Sequence, residues 1–223
     1  MLFRSIYGET DYKVTKKGHI NKMVSLTNTL ELLGLKKTSV DKLYGLGNKD
    51  GRLTSIDVKK GILNNIKKDV TKSSKPHEYQ YLSIKDENES IKLFEFFSNT
   101  TNVEWSRMEF DKGNSDYIIS TSHESGADSG APDIIMQTTE FGIISKHDHN
   151  HPLGSQPSGF DTKNMSGDRE FAHWLRNYNP EVKLRVYDSN EDKYTKYNYI
   201  KIDGSDLYNK SKGNNHNKNK PLN

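Results

Sequence analysis

Alternating apolar and polar residues near the start of the chain predict two β-hairpins. Residues 12–15 and 19–24 flank a Lys16-Lys17-Gly18 turn. Residues 43–46 and 53–58 flank a second turn that contains Asp50-Gly51, a strong hairpin signal. Residues 58–71 alternate lysine with branched apolar residues, which is compatible with a helix or a strand. We therefore predict a strand-rich lead-in over residues 1–77, which ends in a Ser/Lys/Pro linker at 72–77.

From residue 78 the apolar spacing predicts a mixture of helices and strands. Asp86 with Glu89 forms a capping-box start for a helix over about 87–98. A second helix is predicted over 168–178, where the aromatic and aliphatic side chains share one face. The predicted strands cover 103–110, 117–120, 133–137, 140–151, 182–188 and 194–202. This mixture indicates an α/β or α+β domain over residues 78–208.

The charge distribution argues against a basic nucleic-acid-binding surface in the part of the chain before residue 209. The chain holds 33 basic and 30 acidic residues, with a net charge of +3. Residues 209–223 contain four lysines and no acid, so the rest of the chain is near neutral. This Lys/Asn-rich tail is predicted to be disordered, because it is short, polar and without a possible core.

The sequence lacks two features, cysteine and a long apolar run, and each absence excludes certain kinds of site or protein. Cysteine is missing, which excludes disulfides, thiolate zinc sites and cysteine nucleophiles, so any metal must be held by His, Asp or Glu. No apolar run approaches the length of a membrane span, and the first residues do not resemble a signal peptide. We therefore expect neither a transmembrane protein nor a Sec-secreted precursor.

The densest chemical feature is the segment His147-Asp148-His149-Asn150-His151-Pro152. Alternate residues of a strand point to the same face, so His149 and His151 should project side by side and reach one ion. Catalytic zinc sites typically use three protein ligands and one open position. Two histidines here and one carboxylate from elsewhere would meet that requirement.

The motif resembles that of the JAMM (JAB1/MPN/Mov34) zinc metalloproteases. The resemblance rests on His149-Asn150-His151-Pro152, on the Ser/Asp elements within 158–168, and on Glu104 from an earlier predicted strand. It is most similar to the JAB-like toxin branch found at the C-terminal ends of bacterial polymorphic toxins. That similarity covers about 85–200 and includes the segments 93–97, 101–106, 119–124, 157–160 and 166–168.

The resemblance implies a cytidine-deaminase-like (JAB/MPN) fold, which is a mixed sheet flanked by helices. It also implies an enzyme that hydrolyses peptide or isopeptide bonds. His149, His151 and an aspartate would hold zinc. Glu104 would be the general base that takes a proton from the zinc-bound water, which attacks the amide bond. A serine would donate a hydrogen bond to the developing oxyanion. We interpret Glu109 and Glu140 as ordinary strand residues.

Two serine–aspartate pairs compete for the remaining roles. Ser158 and Asp161 form a literal S-x-x-D, whereas Ser166 and Asp168 are one residue closer together. In the family the ligand aspartate begins a helix with small or apolar residues four and seven positions later. Only Asp168 is followed by such a pattern, so Asp168 with Ser166 is preferred, and Asp161 with Ser158 is the alternative.

The leading functional hypothesis is a zinc peptidase or isopeptidase that acts as a toxin or effector domain. Its partners would be a protein or peptide substrate, ubiquitin-like or otherwise amide-linked, and a cognate immunity protein; neither nucleic acid nor a membrane is expected. It would be secreted or delivered into a target cell as part of a larger toxin. One alternative is a metal-dependent nuclease toxin, which is disfavoured by the near-neutral charge of the chain before residue 209 and by Pro152. The other alternative is a non-catalytic binding domain of the same fold.

Overall fold

Two β-sheets form the framework of the computed structural model, which describes residues 11–23, 40–111, 117–152, 156–161 and 163–202. The smaller sheet has four strands: β1 (Asp11–Val14), β2 (Ile20–Lys22), β3 (Val40–Leu46) and β4 (Leu53–Lys59). Their order is β2-β1-β3-β4, with β1 and β3 parallel and the other pairs antiparallel. Both predicted hairpins are therefore present.

The larger sheet has seven strands in the order β11-β10-β9-β7-β8-β6-β5. Only β9 and β10 pair in parallel; all other neighbours are antiparallel. The strands are β5 (Lys67–Val70), β6 (Glu78–Ile84), β7 (Ser106–Phe110), β8 (Tyr117–Thr121), β9 (Ile144–Asn150), β10 (Lys183–Asp188) and β11 (Lys193–Tyr197). The strand β9, which carries the histidine-rich segment, therefore lies well inside the sheet.

Helix α1 (Glu87–Thr100) packs between the two sheets. Its N-cap Asp86 accepts a hydrogen bond from the backbone amide of Glu89, as the capping-box pattern predicted. The buried face of α1 joins one continuous core with side chains of both sheets, among them Tyr12, Leu43, Val58, Leu82 and Trp105. The small sheet and the large sheet thus share apolar packing.

The large sheet begins earlier than the expected boundary at residue 77. Residues 58–71, left open between helix and strand, contain the end of β4, a 3-10 turn at Ile62–Asn65 and strand β5. Strand β5 pairs with β6 at the edge of the large sheet. The lead-in is therefore joined to the following domain by a shared sheet as well as by the shared core.

Three short helices cover the other face of the large sheet: α2 (Gly130–Ile135), α3 (Thr138–Phe141) and α4 (Gly167–Leu175). They pack over a second core that includes Met108, Ile134, Leu175 and Val186. The result is a mixed α/β architecture in which both faces of the large sheet are covered. The cytidine-deaminase-like arrangement implied by the resemblance stays a prediction.

Some element assignments made from the sequence were wrong. Residues 133–137 were predicted as a strand, but residues 130–135 are helical, because Pro132 suits the first helical turn and short apolar runs fit either structure. Residues 138–141 are likewise helical rather than part of a strand over 140–151. The tail 209–223 lies outside the described residues. Within the described ranges, no helix is long and apolar enough to cross a membrane.

Candidate metal centre

Two imidazoles meet at the carboxyl end of β9. His149 is the penultimate residue of the strand and His151 follows its last residue. Their Nε2 atoms lie 3.1 Å apart, and the side chain of His149 is almost fully buried. The two-residue spacing thus places both rings on the same side of the sheet, the side covered by α4.

Asp168 completes this cluster from the first turn of α4. Its Oδ1 lies 3.0 Å from Nε2 of His149, and its Oδ2 lies 3.1 Å from Nε2 of His151. One carboxylate therefore contacts both imidazoles. The position at a helix start also suits its charge, since the helix dipole favours an acid in the first turn.

The structure brings Ser158, rather than Ser166, next to Asp168. The backbone amide and the hydroxyl of Ser158 donate to Oδ2 of Asp168 at 2.6 and 3.0 Å, and the amide of Asp168 donates to the Ser158 hydroxyl at 3.0 Å. Ser166 is the N-cap residue of α4 but makes no side-chain capping bond. Asp161 is exposed and lies outside the cluster. The serine of one predicted pair, Ser158, therefore meets the aspartate of the other, Asp168.

Glu104 reaches the same place from a loop. It was predicted within a strand, but β7 starts only at Ser106. Its backbone amide donates to the carbonyl of Glu124 at 2.7 Å, and its carbonyl accepts from the hydroxyl of Thr121 at 2.7 Å. The carboxylate of Glu104 and the ring nitrogens of His149 and His151 all lie within 4.8 Å of one another. The loop thus delivers a carboxylate to the imidazole pair.

Asn150 links the loop of Glu104 to the end of β9. Its side-chain oxygen accepts from the backbone amide of Trp105 at 2.8 Å, and its side-chain nitrogen donates to the carbonyl of Val103 at 3.3 Å. Its own amide donates to the carbonyl of Trp105 at 3.2 Å. Asn150 is completely buried. The residue between the two histidines therefore fixes the backbone on both sides of Glu104.

A cavity of about 260 Å³ opens over the cluster. Its polar lining comes from Glu104, His149, His151, Ser158 and Asp168, together with Ser106, Asp128, Ser129 and His147. Pro132 and Phe171 add apolar surface. The cavity is small compared with sites for drug-sized ligands, so it suits a narrow group.

Ser106, Asp128 and His147 also line the cavity, although the sequence alone gave none of them a role. All three are buried. Nε2 of His147 lies 3.2 Å from the Ser106 hydroxyl, and Asp128 accepts hydrogen bonds from the Ser120 hydroxyl and the amide of Gly130. The alternation of β9 places His147 on the face of His149, but nothing in the sequence marks Asp128, which comes from the loop before α2.

The electrostatics of the cluster follow from burial and close charges. Burial raises the pKa of Glu104 to about 7, although His149 and His151 oppose the rise. Burial also acts to lower the pKa of His149, but the Asp168 carboxylate outweighs it and raises that pKa to about 9. Burial alone would raise the pKa of Asp168, but the two imidazoles hold it well below its ordinary value. The Asp168 carboxylate therefore stabilises positive charge at the imidazole pair.

The chemistry of this donor set fits zinc. Two imidazole nitrogens and a carboxylate converge within about 3 Å of one another, with a second carboxylate close by. Imidazole and carboxylate are ordinary zinc ligands, and three of them leave a position free. The residues that could hold the ion are therefore His149, His151 and Asp168, with Glu104 beside them.

On the opposite face of the sheet, Asp148 holds β9 between its neighbours. Arg107 from β7 donates to Asp148 at 2.9 Å, and Arg185 from β10 donates to both carboxylate oxygens at 2.7 Å. Asp148 and Arg107 are fully buried. This double ion pair ties the histidine-bearing strand to the strands on both sides.

Comparison with known protein families assigns the part of the chain that carries the cluster. Residues 82–173 match the family model described as JAB-like toxin 1. This part of the chain is a JAB-like toxin domain. The matched segment contains all the residues of the cluster, from Glu104 to Asp168, whereas the small sheet lies outside it. No curated protein and no solved structure matches the chain.

Proposed function

We propose that the JAB-like toxin domain is a zinc-dependent hydrolase of the JAMM metallopeptidase type, in a cytidine-deaminase-like arrangement. The observation that carries the proposal is the meeting of Glu104, His149, His151 and Asp168 at one cavity. Two imidazoles and an aspartate that contacts both are suited to hold one ion, and the buried glutamate is suited to move a proton.

His149, His151 and Asp168 would hold the zinc ion. When bound, zinc supplies a Lewis acid that activates water and polarises the scissile carbonyl. Two neighbouring residues would support these ligands. Asn150 fixes the end of β9 to the Glu104 loop, and Asp148 fixes it to both neighbouring strands. Such supporting contacts keep ligands oriented and tune their basicity.

Glu104 would be the general base and later the general acid. Its carboxylate would accept a proton from the attacking water and return it to the leaving nitrogen of the amide. In the metal-free protein, burial raises the pKa of Glu104 to about 7. A buried carboxylate with a raised pKa is suited to take up a proton and release it again. Hydrogen bonds from Thr121 and to Glu124 hold the backbone of Glu104, so the point from which its side chain extends is fixed.

Ser158 is the serine that the geometry favours for the oxyanion role. Its hydroxyl lines the cavity and lies 3.0 Å from Oδ2 of Asp168, whereas Ser166 does not line it. A hydroxyl at this position could turn from the carboxylate towards a charge that develops on the substrate oxygen. We therefore assign the serine role to Ser158 and the ligand role to Asp168.

The substrate would be an amide bond in a protein, peptide or ubiquitin-like conjugate, with a narrow group entering the cavity. The domain would act as an effector delivered into a target cell as part of a larger toxin, and a cognate immunity protein would neutralise it in the producing cell. A nucleic-acid substrate is disfavoured because the chain is only weakly basic, and its excess of lysine lies in 209–223.

The test is hydrolysis of a quenched-fluorescent peptide library by the purified chain loaded with zinc. Glu104→Gln keeps the size of the side chain but removes its proton-accepting oxygen, so it should lower kcat/KM by about 10²–10⁴ while zinc stays bound. Glu109→Gln is the matched control, because Glu109 is a partly buried glutamate on the adjacent strand and does not line the cavity. It should cleave as the wild type does.

Three outcomes would contradict the proposal. Equal loss in both glutamate variants would remove the specific role of Glu104. Nicking of DNA or RNA with added magnesium, without peptide cleavage, would favour the nuclease. Zinc binding without cleavage of any library member would favour a non-catalytic binding domain.

A further inference from the structure

The turn between β1 and β2 lies against the segment that carries Glu104. Three consecutive backbone carbonyls of this turn, those of Lys16, Lys17 and Gly18, contact three separate points: Asn102 and His123 in the JAB-like domain, and Gln80 just before it. The Lys16 carbonyl accepts from the amide of Asn102 at 2.8 Å. The Gly18 carbonyl accepts from the side-chain nitrogen of the buried Gln80 at 2.8 Å.

The middle carbonyl contacts His123. Nδ1 of His123 lies 2.9 Å from the Lys17 carbonyl, and its ring contacts that of His19, with the ring centres 4.1 Å apart and the planes tilted by 32°. His123 adopts a positive φ of 64°, which is unusual for a residue with a side chain. Its contacts with the turn therefore help to hold an unfavourable backbone conformation in place.

His123 lies between the two residues that fix the backbone of Glu104. The Thr121 hydroxyl donates to the Glu104 carbonyl and accepts from the amide of His123 at 3.0 Å. The Glu124 carbonyl accepts from the amide of Glu104. The turn thus contacts the chain just before Glu104, at Asn102, and the loop that holds Glu104 from the side.

Gly18 shows how close this contact is. Its φ is +78°, and a Cβ built on it would lie 2.8 Å from Cγ2 of Val103 and 3.3 Å from both Trp105 and His123. Contacts under 3.0 Å force a neighbour to move. Val103 and Trp105 flank Glu104, so a side chain at position 18 would push on the residues on both sides of that carboxylate.

We propose that the β1–β2 turn is a positioning element for Glu104, so that the small sheet is a working part of the catalytic unit rather than a detachable lead-in. This inference rests on the proposed role of Glu104. It extends the functional unit beyond the matched segment 82–173, which contains none of residues 15–19.

The test compares Gly18→Ala with Gly51→Ala. Gly51 is also a hairpin-turn glycine with a positive φ of 66°, but a Cβ there meets nothing within 4 Å. Both variants carry the same type of backbone strain, and only Gly18→Ala presses on Val103. Gly18→Ala should raise amide hydrogen exchange at Asn102 and Glu104 by about tenfold and lower kcat by about tenfold with KM and zinc content unchanged. Gly51→Ala should change none of these.

A double variant guards against a simple folding defect. Val103→Ala removes the Cγ2 atom that the new methyl group would meet, so Gly18→Ala combined with Val103→Ala should return kcat and exchange to the values of Val103→Ala alone. Gln80→Leu, which removes the donor to the Gly18 carbonyl without adding an atom to the turn, should shift exchange at Asn102 in the same direction as Gly18→Ala.

The exchange measurement separates this inference from the proposed function. A wild-type protein that cleaves nothing would defeat the proposed function, while raised exchange at Asn102 and Glu104 would still support the positioning contact. Exchange changes confined to residues 11–23 in Gly18→Ala would overturn the inference whatever the activity. Equal kcat values for Gly18→Ala and Gly51→Ala would overturn it as well.

Discussion

Ser158 and Asp168 hold each other by three hydrogen bonds although they are ten positions apart. Ser158 donates twice to one carboxylate oxygen, and its hydroxyl accepts a hydrogen bond from the backbone amide of Asp168. Oδ2, the oxygen that receives both donors, also lies 3.1 Å from His151. The serine thus fixes the carboxylate in the orientation that lets it contact both imidazoles.

Ser158→Ala should weaken zinc binding more than Ser166→Ala. The alanine removes two of the three bonds and leaves a buried carboxylate less well oriented, and the loss of such a supporting partner typically costs about 10–100-fold in metal affinity. Ser166 does not line the cavity, so its alanine variant should keep the wild-type affinity. A competition titration with a chromophoric zinc chelator measures both. A greater loss in Ser166→Ala would show that the serine roles have been assigned the wrong way round.

Asp148→Asn should destabilise the fold strongly, because Asp148 holds the strand that carries the histidines to both neighbouring strands. The change leaves the fully buried Arg107 guanidinium without its close carboxylate, which typically costs about 3–5 kcal/mol. Glu87→Gln is the control, because Glu87 contacts the same arginine at 3.7 Å from a half-exposed position and should cost less than about 1 kcal/mol. Urea unfolding of both variants tests the difference. Similar small losses would mean that the double ion pair does not anchor β9.

Glu104→Gln should stabilise the metal-free protein at high pH and not at low pH. The pKa of Glu104 rises from 4.5 to about 7 on folding, because burial disfavours the charged carboxylate. A raised acid pKa contributes stability that is present below pH 4.5 and is lost as the pH rises towards 7. One pKa unit corresponds to about 1.4 kcal/mol, so the glutamine variant should be about 3 kcal/mol more stable at pH 8 and equal to the wild type near pH 4.

Unfolding curves of chelator-treated wild type and Glu104→Gln, recorded from pH 4 to pH 8, measure this dependence. A stability difference that stays constant over that range would mean that Glu104 is not desolvated in the folded protein.

Local patterns in the sequence were enough to predict the hairpins, the start of α1 and the histidine pair. The Asp50-Gly51 turn and the Asp86 cap depend on neighbouring residues only, and two-residue spacing places His149 beside His151. The helical pattern after Asp168 put that residue at the start of α4, where its carboxylate contacts both rings. Its role as a metal ligand stays a prediction.

The remaining features depend on contacts between distant parts of the chain. Ser158 meets Asp168 only because the loop folds back on α4, and Asp128 reaches the cavity from the loop before a helix that was predicted as a strand. The short apolar run at 133–137 is equally compatible with both structures, and only packing decides between them. The contact of Gly18 with Val103 likewise joins the small sheet to the Glu104 loop, and no local pattern shows it.

Metal content tests the central claim most directly. Purified wild type, His149→Ala, Asp168→Asn and Asp161→Asn would be dialysed against near-stoichiometric zinc and analysed by atomic emission. The account predicts one zinc per chain in the wild type and in Asp161→Asn, because Asp161 is exposed and does not line the cavity, and loss of zinc in the other two variants. A wild type that takes up no zinc, or loss in Asp161→Asn with retention in Asp168→Asn, would contradict it.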